Sequence, residues 1–235
     1  LETPYILTPP ESPKPHICNA QVYGARPGAP FLYTIAATGQ QPMMYEASGL
    51  PPGFKINPKT GIITGSTKER GMFNLTLTAT NNLGADSKVV NVIIGDNIAL
   101  TPPMGWNSWN CWGLSVSDER VRASADAMVS SGLIHHGWTY MNIDDGWEDA
   151  ERDPKTGDIQ PNDKFPSMNG LSDYLHSLGL KMGIYSSPGP LTCGGYLGSW
   201  QHERQDAQTW ADWHIDYVKY DWCSYGQIAP VKPSL

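Results

Sequence analysis

Ile215-Asp216-Tyr217-Val218-Lys219-Tyr220-Asp221-Trp222-Cys223 is the stretch on which the reading of this chain turns. It opens with β-branched and aromatic residues, as a strand does, and closes on a carboxylate. Successive side chains on a strand point to opposite faces, so Tyr217, Lys219 and Asp221 share one face while Val218 and Tyr220 share the other. An ammonium and a carboxylate therefore aim the same way at the strand's C-terminal end. In a parallel α/β barrel that end carries the catalytic groups. A neighbouring cation favours the ionised carboxylate, the form a nucleophile needs. The competing interpretation is a structural ion pair at a strand terminus.

Working outward, three earlier segments have the same design. Met104-Gly105-Trp106-Asn107-Ser108-Trp109 reads as a first strand ending in polar and aromatic groups, and Tyr140-Met141-Asn142-Ile143-Asp144-Asp145-Gly146-Trp147 as a second running into two carboxylates. Lys181-Met182-Gly183-Ile184-Tyr185 is a third. Helices lie between them. Ser117 and Asp118 can cap one whose apolar stripe is Val121, Ala125, Met128 and Val129, stopping near Gly132. Leu171, Tyr174, Leu175 and Leu178 stripe the next, closed by Gly179, and Asp206 to Trp213 supplies another. Strands alternating with helices indicate βαβ units and a parallel sheet. All four strands end in polar or aromatic groups, namely Trp109, Asp144 with Asp145, Tyr185, and Asp221, which together form a candidate site.

From Gly24 to Gly95 the texture is instead all-β. Phe31 to Ile35 reads as a strand, and Phe54 to Ile56 and Ile62 to Thr64 flank a turn, Asn57-Pro58-Lys59-Thr60-Gly61. Phe73, Leu75, Leu77 and Ala79 alternate with polar residues, and Asn81 to Gly84 turns the chain into a last strand, Val89 to Ile94. Short alternating strands with frequent turns indicate a small β-sandwich. No cluster of His, Cys or carboxylates marks it for chemistry. The expected organisation is a Pro-rich lead-in over 1–23, the sandwich over 24–97 and βα units over 98–235.

The composition narrows function. A net charge of −7 over 235 residues argues against nucleic acid, whose phosphates demand a basic surface. No apolar run approaches the roughly 20 residues of a membrane span. Nine tryptophans and 11 tyrosines, with only 17% charged residues, suit a site that stacks on sugar rings, or an aromatic core. The four cysteines, Cys18, Cys111, Cys193 and Cys223, fit no paired C-x-x-C zinc pattern. Spacing alone leaves three pairings open, and four buried thiols besides.

Thr101-Pro-Pro-Met-Gly-Trp-Asn-Ser-Trp109, Asn142-Ile-Asp-Asp-Gly-Trp147, Gly179-Leu-Lys-Met-Gly-Ile-Tyr185 and Tyr217-Val-Lys-Tyr-Asp-Trp-Cys223 resemble glycoside hydrolase family 27 in order and spacing, from Ala99 to Gly226. That is the α-galactosidase and α-N-acetylgalactosaminidase family, (β/α)8 TIM barrels that act as retaining glycosidases. Residues 20–95, with Gly49-Leu-Pro-Pro-Gly-Phe54 and Thr60-Gly-Ile-Ile-Thr-Gly65, are similar to the immunoglobulin-like modules that precede such barrels in bacteria. The fold implied is multidomain: a small immunoglobulin-like sandwich, then the first four βα units of a barrel. The resemblance makes Asp221 the nucleophile and Lys219 its partner on the sugar, with Asp144 and Asp145 on the O4 and O6 hydroxyls. Trp109 would wall the pyranose, Tyr185 would add a wall or hydroxyl contact, and Cys193 would touch the sugar while paired with Cys223. Cys18 and Cys111 would stay unpaired. The implied partner is an α-galactoside, with no cofactor and no metal, in a secreted or periplasmic bacterial protein.

Three departures qualify this. Gly146 stands where the family often has Cys, which removes the usual type of partner for Cys111. His214 replaces a common Gly before the fourth strand, costly if φ is positive there. The sequence reaches Leu235, while a (β/α)8 barrel takes about 250 residues, so strands five to eight, the acid/base and the groups reading the sugar's 2-position are expected outside it. The chain as given is therefore expected to be catalytically incomplete. The rivals are an α-N-acetylgalactosaminidase, a β-L-arabinopyranosidase, disfavoured because Asp145 leaves room for a 6-hydroxymethyl group, and a non-catalytic carbohydrate-binding protein.

Overall fold

The structure, a computed structural model, describes residues 11–228. The chain divides into two compact units, Leu1–Pro102 with Gly132–Gly137, and Pro103–Ser131 with Trp138–Leu235.

The first unit is all-β. Its strands are β1 (His16–Ile17), β2 (Val22–Ala25), β3 (Phe31–Thr34), β4 (Ala37–Thr38), β5 (Met44–Ser48), β6 (Lys55–Ile56), β7 (Ile62–Gly65), β8 (Gly71–Asn81) and β9 (Gly84–Ile94). One sheet runs β2-β9-β8-β5, a second β3-β7-β6, and β1 pairs with β4. Leu75, Leu77 and Ala79 of β8 and Val90, Val92 and Ile94 of β9 bury one face of the first sheet, as their alternation requires. They pack with Phe31, Tyr33, Ile63 and Tyr45 in one core. The long β8–β9 hairpin turns on Asn82 and Leu83, where Asn81 Oδ1 accepts the Leu83 amide at 2.9 Å. The Pro-rich segment, expected as an extended lead-in rather than a helix, supplies β1 and the start of β2, which runs parallel to β9. Residues 1–10 of that segment lie outside the described residues.

The second unit carries β10 (Gly105–Asn107), β11 (Tyr140–Asn142), β12 (Lys181–Ser186) and β13 (Tyr217–Tyr220), parallel and adjacent in chain order. Its helices are α1 (Trp109–Trp112), α2 (Asp118–Ser130), α3 (Met168–Ser177) and α4 (Glu203–Asp212). Ser117 caps α2 by accepting the Arg120 amide, and Ser167 caps α3 by accepting the Gly170 amide. Of the predicted stripes, Val121, Ala125 and Met128 are buried on α2 and Leu171 and Leu175 on α3, while Val129, Tyr174 and Leu178 are only partly buried. β12 is buried along its whole length. Gly183 at its centre has no room for a side chain, since a Cβ would stand 1.9 Å from Asn142 Oδ1.

Two local expectations meet different fates. Trp109 does not end a strand; β10 stops at Asn107, whose Oδ1 accepts the Trp109 amide at 3.0 Å and turns the chain into α1. His214 does adopt positive φ, 61°, one residue past the C-cap of α4, the place a glycine normally takes.

Candidate active site

The site grows from the sheet register. Asn142 pairs with Gly183 and Tyr185 with Lys219. Carrying the first pairing two residues further sets Asp144 beside Tyr185, so Asp144, Tyr185 and Lys219 form one row across three strands. Lys219 reaches along this row. Its Nζ lies 5.1 Å from the centre of the Tyr185 ring and donates to Asp144 Oδ2 at 2.8 Å. Asp221, two residues on from Lys219 and on the same face, has its Oδ2 4.0 Å from the ammonium. The cation expected to serve Asp221 thus bonds directly to Asp144 and stands only at ion-pair distance from Asp221.

Asp144 is 2% exposed, and each of its carboxylate oxygens has a partner. Its Oδ1 accepts the Asp145 amide at 2.9 Å, and its own amide donates to Ser108 Oγ at 2.9 Å. Asp145 is buried equally deeply and receives Thr192 Oγ1 and the Gly194 amide. Desolvation pushes the Asp145 carboxyl above the usual carboxylate range; the Asp144 charge adds to this, and the two donors oppose it.

Asp221 differs, with a side chain 48% exposed. Its amide donates to Ser186 O at 2.9 Å, continuing the β12–β13 ladder past the last residue of β13. The Tyr185 hydroxyl donates to Asp221 Oδ2 at 3.3 Å and lies 3.4 Å from Cys223 Sγ. Burial, then the charges of Asp145 and Asp221, push the Tyr185 phenol far up, so it stays a donor at any working pH. Cys193 and Cys223 are disulfide-bonded with Cα atoms 5.1 Å apart; Cys18 and Cys111 are free thiols. A carboxylate oxygen of Asp221 and the two sulfurs lie within 4.8 Å of one another. Bonded sulfurs do not ligate, so this trio leaves one carboxylate and fits no metal.

Of the sequence-derived residues, Asp144, Asp145, Tyr185, Lys219, Asp221, Cys193 and Cys223 are linked by these contacts. Trp109 opens α1 at 44% exposed. Sequence reading missed Ser108, Thr192 and Gly194, which hold the two aspartates. It also missed Glu148, fully buried beside them, and the partly buried Arg152 that pairs with the fully buried Asp206 at 2.6 Å. The tight Thr192-Cys193-Gly194 run was the available signal for the Asp145 cradle.

An immunoglobulin-domain model matches residues 14–95 and the model described as Alpha galactosidase A matches 101–232, over half the chain. Alpha-galactosidase A of Cellvibrio japonicus is 56% identical over 137 residues, 57% of this chain and 33% of that protein. Alpha-galactosidase 2 of Arabidopsis thaliana is 46% identical over 160 residues, 67% of this chain and 40% of that one. The chain thus spans about a third to two-fifths of the length of these curated relatives. A Bacteroides fragilis crystal structure, described as a candidate α-galactosidase, superposes with a TM-score of 0.88 at 41% identity, covering 93% of this chain and 47% of that one. The α-galactosidase of Saccharomyces cerevisiae solved with raffinose superposes with 0.52 at 40% identity, over 55% of this chain and 28% of its own. With an immunoglobulin-like sandwich ahead of four parallel strands, joined by helices, that bear these carboxylates, the chain belongs to the α-galactosidase A family of glycoside hydrolases.

Proposed function

We propose that these residues form the nucleophile-bearing, galactose-binding part of a retaining α-galactosidase. The observation that carries this reading is the division of labour among three carboxylates at one rim. Two are buried and locked by donors, as recognition of hydroxyls requires, and one is half-exposed and steadied on a single oxygen, as a nucleophile requires. Asp144 and Asp145 accept hydrogen bonds from the O4 and O6 hydroxyls of a terminal α-D-galactosyl unit, and Lys219 contacts the sugar while bonded to Asp144. Trp109 walls the apolar face of the ring, and Tyr185 and the Cys193–Cys223 disulfide close the far side.

In this reading an Asp221 carboxylate oxygen bonds to the anomeric carbon as the bond to the leaving oxygen breaks. A second carboxylic acid protonates that oxygen and then takes a proton from the water that releases the sugar with its configuration retained. Retaining chemistry sets the two carboxyl groups about 5–5.5 Å apart; the second is expected on a later strand. The disulfide fits an oxidising compartment, secreted or periplasmic. Among the described residues no helix is long and apolar enough to cross a membrane.

The test is made in the full-length gene product that carries this sequence. With an aryl α-galactoside, Asp221→Ala should lower kcat on the order of 10⁴-fold or more. A fluorinated galactosyl fluoride should leave one galactosyl group on the peptide containing Asp221. Retained turnover in the variant, or a label on another residue, refutes the assignment. Sugar binding with no turnover by the unaltered protein would instead favour a non-catalytic carbohydrate-binding role.

A further inference from the structure

Asp144 and Asp145 are neighbours held by different means. Asp144 is bonded to an ammonium, whereas Asp145 is held by neutral donors, two of which, Thr192 and Gly194, come from one short loop. Thr192 Oγ1 donates to Asp145 Oδ1 at 2.8 Å, and the Gly194 amide donates to Oδ2 at 2.5 Å. Thr192 is 4% exposed, and its hydroxyl oxygen accepts the Tyr196 amide at 3.0 Å. That contact occupies a lone pair and leaves the hydroxyl proton aimed at Asp145. Thr192 N to Tyr196 O, 2.8 Å, closes the loop on itself.

The residue between the two donors, Cys193, is bonded to Cys223 on the segment after β13, which staples the loop in place. Gly194 has a steric role as well. A Cβ there would stand 2.9 Å from Asp145 Oδ2, so a residue with a side chain would push the carboxylate away or withdraw the amide. The Thr192-Cys193-Gly194 loop is therefore shaped around a carboxylate on another strand.

We propose that Thr192 is a positioning residue that, with the Gly194 amide, fixes Asp145 so that its remaining lone pairs meet one hydroxyl, that of the sugar's 6-hydroxymethyl group. This rests on the α-galactosidase reading above. Thr192 acts through Asp145 and sets the preference for a hexopyranose over the pentopyranose lacking that group. Removing one donor from a buried carboxylate loosens its orientation and stabilises its protonated form, which accepts less well. The ionisable groups facing Asp145 are Asp144, Glu148 and Tyr185, and they are unchanged by a substitution at Thr192.

The experiment compares Thr192→Val, which removes the donor at similar shape, with Thr192→Ser, which keeps it, in the full-length gene product. The substrates are p-nitrophenyl α-D-galactopyranoside and p-nitrophenyl β-L-arabinopyranoside. For Thr192→Val the expected result is a KM for the galactoside raised on the order of tenfold, the size of a lost hydrogen bond to a charged group. The change should be smaller for the arabinoside, and Thr192→Ser should restore most of the loss. Equal losses on both sugars, or a Thr192→Ser variant as poor as Thr192→Val, overturn the proposal. A readout without substrate is the carbon-13 titration of the Asp145 carboxyl, which must move to higher pH in Thr192→Val; an unmoved curve also overturns it. If the unaltered protein hydrolyses neither sugar, the galactosidase reading fails and this titration decides the Thr192–Asp145 coupling alone. Should Thr192→Val not fold, Thr192→Ala removes the same donor.

Discussion

Glu148 is expected to make the protein's stability depend on pH in a way that one substitution abolishes. The side chain is fully buried three residues after Asp145. Its Oε2 accepts the Gly146 amide at 3.1 Å, while Oε1 meets no partner among the described residues. Burial pushes this carboxyl well above its ordinary range, and the Asp145 charge adds to it; the amides of Glu148, Gly146 and Trp147 oppose the shift. The nearby cation, Lys164, spends its ammonium on the carbonyls of Leu114 and Gly146. Glu148 therefore holds a proton in the folded state that it loses in the unfolded chain above a pH of about 4.3.

The folded state then binds more protons than the unfolded one. The stabilisation from that proton is complete below about pH 4.3 and falls as pH rises towards the folded pKa, by about 1.4 kcal/mol per pH unit. Glu148→Gln keeps the shape and an acceptor for the Gly146 amide but cannot ionise. Urea denaturation at intervals from pH 5 upward, on both proteins, isolates the effect, because every other titrating group cancels in the difference. The stability of Glu148→Gln relative to the parent should climb by about 1.4 kcal/mol per pH unit and level off at the folded pKa. A constant offset between the substitutions is immaterial; the slope is the test. Parallel curves would mean that Glu148 is already ionised inside the protein, and the reasoning from burial would fail.

His214→Gly should raise the melting temperature. A side chain at φ 61° costs about 1–2 kcal/mol, the added freedom of glycine in the unfolded chain returns about 0.4–1, and the exposed 3.6 Å contact with Asp173 is worth little; a lower melting temperature refutes this. Arg152→Ala should cost about 3–5 kcal/mol in urea unfolding, because it strips a two-pronged guanidinium, at 2.6 and 2.8 Å, from an Asp206 with no solvent exposure. A loss of the size seen at surface positions, under about 1 kcal/mol, would mean that Asp206 finds another partner.

What could be read in advance follows from how strands are built. Period-two alternation is local, so the common face of Lys219 and Asp221 and the inward rows Leu75-Leu77-Ala79 and Val90-Val92-Ile94 were visible from neighbouring residues alone. The strands within the Pro-rich segment were not, because β1 and β2 are short and defined by pairing with β4 and β9, far along the chain. Trp109 was misplaced for a local reason of another kind: the Asn107 side chain captures the Trp109 amide and ends the strand two residues early. The partners of the charges were hidden most completely. Lys219 meets Asp144 across 75 residues, Arg152 meets Asp206 across 54, and Thr192 meets Asp145 across 47. Alternation says which way a side chain points, but the inter-strand register decides what stands in its path. Adjacent Lys219 and Asp221 looked like the pair, whereas the row through Tyr185 gives the ammonium to Asp144. The consequence is electrostatic: Asp144 is held by a full charge, and Asp221 stays half-exposed, as the proposed nucleophile needs.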